Sequence, residues 1–118
     1  MQEADVQASG LMSEALERVE RARGALYELH QLIGGADGQL DDVIAQLRKG
    51  GHGDLADEVQ RDLVGLDVLG GRWTFQVVEE FDDGFYARWK AMEQRVRSVT
   101  VGGERHVLEQ RMKKERQS

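Results

Sequence analysis

Between Trp73 and Trp89 the chain reads WTFQVVEEFDDGFYARW, a stretch that holds six of the seven aromatic residues together with four carboxylates. It is either a pocket lined with acids or the apolar seam of a long helix whose acids face water. Period decides between them. At roughly 100° per residue Val77, Val78, Phe81, Phe85, Trp89, Met92, Val96 and Val99 share one face, while Glu79, Asp83, Lys90, Gln94 and Arg97 fall away from it. The spacing predicts a helix from about Arg72 to Val99. Phe75 and Tyr86 widen its apolar surface, and Gly84 marks a position where it can bend.

Glycine doublets set the boundaries outward from this stretch. The chain has no proline, and eight of its fourteen glycines sit at Gly34-Gly35, Gly50-Gly51, Gly70-Gly71 and Gly102-Gly103. A glycine pair is entropically costly inside a helix and adopts the positive φ required just past a helix end. The doublets therefore predict helix ends. The first segment, Met12 to Ile33, repeats apolar residues every three or four positions (Met12, Leu16, Val19, Ala22, Leu26, Leu29, Ile33). The second, ADGQLDDVIAQLRK, is expected to open at Asp37 as N-cap and to present Leu40, Val43, Ile44 and Leu47. The third, DLADEVQRDLVGLDVL, is expected to open at Asp54 and to present Leu55, Val59, Leu63 and Leu66. The short KGGHG link makes these two an antiparallel hairpin. The last segment, GERHVLEQRMKKERQS, contains good helix formers with few apolar residues, and the first ten residues read as mobile.

The expectation is thus an all-α fold: a small antiparallel helical bundle of four main helices, two long and two short, with a weakly ordered C-terminal helical arm. Residues 1–101 form one bundle domain and 102–118 a charged arm. The short hairpin cannot cover both long helices, which leaves an apolar face for a partner. Leu26, Leu29, Ile33, Phe81, Phe85, Trp89 and Met92 are the expected interface, and a second copy or another helical protein the expected partner.

Composition narrows the chemistry. The absence of cysteine excludes thiol chemistry and disulfides, and fits a reducing, cytoplasmic setting. Apolar runs are too short for a membrane span. Net charge is −6, with thirteen acids against four bases in residues 28–83 and nine bases against four acids in 84–118. The acidic middle repels phosphate, so nucleic acid is not the expected partner. If it were, Arg105, Arg111, Lys113, Lys114 and Arg116 of the arm would carry the contact. His30, His52 and His106 form no metal-ligand spacing, and no serine or threonine has a histidine and carboxylate nearby in sequence to activate it.

One alternative involves metal chemistry. Glu58 and Asp62 on one helix and Glu79, Glu80 and Asp83 on the next could hold Mg²⁺ through oxygen ligands. Across residues 57–83 the pattern resembles the all-helical nucleotide pyrophosphohydrolases, which place carboxylates of two helices around magnesium. Their first cluster reads Glu-Glu-x-x-Glu, whereas Arg61 and Asp62 stand here, a one-residue displacement that turns a side chain by about 100°. This alternative requires the two sets of acids to converge. The leading reading is a non-enzymatic association module with no cofactor.

Overall fold

The computed structural model describes residues 2–118 and is all helical, with no sheet among those residues. Helix α1 spans Glu3–Lys49, α2 Gly53–Asp62, α3 Thr74–Phe81, α4 Ala87–Val101 and α5 Val107–Gln117. A π-helical turn, Asp82–Tyr86, joins α3 to α4. The expected all-α helical bundle is what the chain forms, and the C-terminal arm is helical.

Two glycine doublets end helices and a third makes a tight reversal before α3. The expected third segment is helical only as far as Asp62 and does not run on to Gly70-Gly71, so Leu63 and Leu66 lie beyond the helix. After α1, the His52 N–H bonds the Leu47 carbonyl at 2.8 Å and the Gly51 N–H bonds that of Arg48 at 3.1 Å. With Gly51 at φ 80° these bonds form a Schellman motif, which satisfies carbonyls that the helix end would orphan. At Gly70-Gly71, Leu69 and Arg72 exchange backbone bonds of 3.2 and 2.9 Å around a tight reversal, with Gly71 at φ 74°. At Gly102-Gly103 both glycines are left-handed, and the Gly103 N–H bonds the Arg97 carbonyl at 2.9 Å.

Gly34-Gly35 breaks the pattern. Helix α1 runs straight through it, so the expected first and second segments are one helix of 47 residues. Two interior glycines cost about 2 kcal/mol relative to alanines, and no turn chemistry follows them to convert that cost into a stop. Asp37, the expected N-cap, instead accepts the Gly65 N–H at 2.8 Å across 28 residues. The mobile opening is also corrected: α1 begins at Glu3, and Val6 and Ser9 are buried. Asp54 does not cap α2, whose N-cap is His52, without a side-chain bond to the helix.

The chain divides into two compact units. One comprises Gly24–Phe81, and its buried residues are Ile44 of α1, Ala56 of α2, and Thr74 and Val78 of α3. Within it His30 Nδ1 lies 2.7 Å from Thr74 Oγ1, which gives the buried hydroxyl a partner. The start of α3 is secured by Gln76, whose Oε1 accepts the Trp73 N–H at 2.9 Å, the return half of a capping box.

The other unit comprises the residues up to Arg23 together with Asp82–Ser118. Here the first half of α1 packs against α4 through Ser13 and Glu93, and α5 lies on α1 where Gly10 faces Leu108. Val6, Ser9, Glu93 and Val101 are its buried residues.

Candidate functional site

The π turn determines what α4 shows to water. An i→i+5 turn carries one residue more than an α turn, and one extra residue shifts the following face by about 100°. Counted without that shift, Phe85 to Val99 continue the face of Val78 and Phe81, and Arg97 lies on the opposite side. In the structure Glu93 and Val101 are buried and Arg97 is half-buried, whereas Phe85, Met92 and Val99 are 52%, 55% and 70% exposed. The inner face of α4 is thus partly polar; Phe85 of the turn and Met92 and Val99 of the helix are displayed, and Trp89 and Val96 are half-buried.

The polar inner face is internally satisfied. Glu93 accepts the Ser13 hydroxyl at 3.0 Å and Arg97 Nε at 3.0 Å, and Arg97 also donates to the Gly103 carbonyl at 2.9 Å. One turn before α4, Arg23 donates to both Asp82 oxygens at 2.7 and 3.0 Å. The same guanidinium lies 4.7 Å from the centre of the Tyr86 ring, with Lys90 at 5.3 Å from it. These groups line an open hollow of about 810 Å³ together with Glu20 and Arg105. Both signs of charge are present there, and Arg23 and Arg97 already hold carboxylates.

On the displayed side Phe85, Trp89, Met92, Val96 and Val99 alternate steps of four and three, the spacing that lines residues up for a facing helix. The Phe85 and Trp89 rings pair at 6.0 Å between centroids. Met12 of α1 joins Trp89, Met92 and Arg88 around an apolar hollow of about 300 Å³. Arg88 and Arg95 edge this ladder, both exposed and neither held by a carboxylate among the described residues.

The residues expected to form one interface are divided between the units. Phe85, Trp89 and Met92 belong to the unit containing α4; Leu26, Leu29, Ile33 and Phe81 belong to the other, where Leu29 is exposed and the rest are half-buried. Sequence periodicity found the ladder. It missed the Glu93, Arg97 and Ser13 network, because a buried charge pair has no signature in an apolar stripe.

The metal alternative does not gain its geometry. Among the described residues no group of three or more His, Cys, Asp or Glu side chains is arranged to hold a metal ion. Asp62 is held by Arg61 at 3.0 Å and Glu80 by Arg72, while Glu58, Glu79 and Asp83 are exposed. The Asp62 carboxylate, with those of Glu58 and Asp57 nearby, also raises the Arg61 guanidinium above its ordinary range.

Of the basic arm, Arg111 is tied to Glu3 at 2.9 Å, Arg105 edges the polar hollow, and Lys113, Lys114 and Arg116 are exposed on α5. No helix among the described residues is long and apolar enough to cross a membrane. No family model, curated protein or solved structure matches the chain.

Proposed function

We propose that this chain is a non-enzymatic helical association module and that the α4 ladder is its docking face. The observation that carries the reading is the balance of apolar burial. Val6, Ile44, Ala56, Val78 and Val101 are the hydrophobic residues buried among those described, against thirteen large hydrophobic residues left exposed. Scattered exposed leucines are ordinary. Residues at seven-residue spacing on one helix, beside a hollow that Met12 completes, are a contiguous strip of the kind that another helix covers.

The driving force is removal of this strip from water, at about 25 cal/mol per Å² of apolar area, with Arg88 and Arg95 selecting the partner's charge and orientation. The test is the mass of the purified full chain by light scattering, compared with the Met92→Asp variant. The expected result is a particle heavier than the 13.3 kDa of one chain, reduced to one chain by the substitution. A single-chain particle with no co-purifying protein overturns the reading, as does a heavier particle that Met92→Asp leaves unchanged.

A further inference from the structure

We infer that the occupant of the α4 ladder is a second copy of this chain, which docks the acidic edge of its α2; this inference rests on the association reading above. Charge selects the occupant. Two ladders meeting antiparallel about a two-fold axis would bring Arg88 of one copy beside Arg95 of the other, a like-charge contact along the whole edge. A parallel pairing would set these arginines against positions 93 and 100, where Glu93 is already engaged with Ser13 and Arg97 and Thr100 carries no charge. The ladder therefore requires an apolar helix whose edge carries carboxylates.

Helix α2 fits that description. Leu55, Leu63 and Leu66 are exposed along it and just beyond its end, while Ala56 is buried against its own unit. Asp54, Glu58 and Asp62 follow one another at one-turn spacing on the edge beside Leu55, all exposed, with Asp62 also bonded by its neighbour Arg61. At 1.5 Å per residue they extend over about 12 Å, and Arg88 and Arg95 extend over about 10 Å, so the two charged edges match in length. The long-range field agrees, with thirteen acids against four bases in residues 28–83 and nine bases against four acids in 84–118.

A ladder on one copy and an α2 edge on the next form a heterologous contact, so a docked pair still offers one free ladder and one free edge. Five large apolar residues on the ladder and three on the α2 side place the contact at the small end of specific interfaces, with micromolar affinity and strong salt dependence.

Sedimentation of the full chain across the micromolar range tests this. Its mass is expected to climb with concentration past that of two chains and to fall when salt is added. Met92→Asp, which breaks the ladder, and Leu55→Asp, which breaks the α2 edge, should each leave one chain. Mixing these two variants leaves one intact contact and should give a particle of two chains. Arg88→Glu with Arg95→Glu should abolish assembly, and adding Glu58→Lys with Asp62→Lys in the same chain should restore it.

Circular dichroism identifies the folded variants, and all these positions are at least half-exposed or exposed. A wild-type chain that stays single, or two folded variants that do not combine, overturns the inference. A particle dissolved by Met92→Asp and untouched by Leu55→Asp overturns it while sparing the association reading. A particle untouched by Met92→Asp overturns both.

Discussion

Glu93 and Arg97 form an ion pair at 3.0 Å between side chains only 11% and 17% exposed, on the face of α4 turned toward α1. The pair is placed there by the π turn, and Ser13 supplies the carboxylate with a further donor. Truncating one partner would strand the other charge out of water, which costs about 3 to 5 kcal/mol in comparable sites. Glu93→Ala is expected to lose that much in denaturant unfolding. Replacing both members with apolar residues should recover most of it, because the desolvation penalty disappears with the charges. The exposed pair of Arg72 and Glu80 provides the contrast: its removal should change stability by less than about 1 kcal/mol.

Gly34 and Gly35 sit inside α1, and a Cβ added at either meets nothing within 4 Å. Neither close packing nor positive φ requires glycine there. Gly34→Ala and Gly35→Ala should each raise stability by about 1 kcal/mol, measured as a shift of the thermal midpoint. If either lowers the midpoint, the uninterrupted helix is not the solution structure.

These two positions also mark the limit of what sequence could convey. The helices were legible because apolar residues recur every three or four positions, and two doublets ended helices while a third made the reversal before α3, each with a left-handed glycine. Gly34-Gly35 has the same composition as those three, and what differs is long-range: Asp37 bonds Gly65, a partner that local pattern cannot supply. The ladder and an apolar face left for a partner were legible, but which residues of α4 turn inward was not. That depended on the extra residue in the turn at Asp82–Tyr86, for which Gly84 gave the one local sign, as a position able to bend. The polar network beneath it was hidden for the same reason, since the shift exchanges Arg97 for the aromatic side chains.

His106 takes a left-handed backbone, φ 56° and ψ 37°, at the N-cap of α5, and makes no side-chain bond to the helix. Left-handed geometry costs a residue with a Cβ about 1 kcal/mol, and glycine is an acceptable N-cap. His106→Gly should therefore stabilise the docked arm by up to about 1 kcal/mol, seen as slower amide exchange in α5. Faster exchange would show that the imidazole itself holds the turn.

Docking of α5 rests on two contacts with the start of α1. A Cβ on Gly10 would come 3.0 Å from Leu108 Cδ2 and 3.4 Å from its Cβ, so Gly10→Val, which adds two further methyl groups, is expected to crowd Leu108 and weaken the docking of the arm. At the edge of the same contact, Glu3 accepts hydrogen bonds from Gln7 at 3.0 Å and Arg111 at 2.9 Å. The Gln7 bond, followed by that of Arg111, holds the Glu3 carboxyl below its ordinary range. A carboxylate lowered on folding stabilises the folded state above its unfolded pKa and loses that contribution as pH falls through the lowered value. Acidification through and below the normal carboxylate range should thus speed exchange in α5 before the rest of its unit. Arg111→Gln should remove much of that pH dependence, whereas Gly10→Val should loosen the arm at every pH. Equal acid sensitivity in wild type and Arg111→Gln would show that the arm is not held through Glu3 and Arg111.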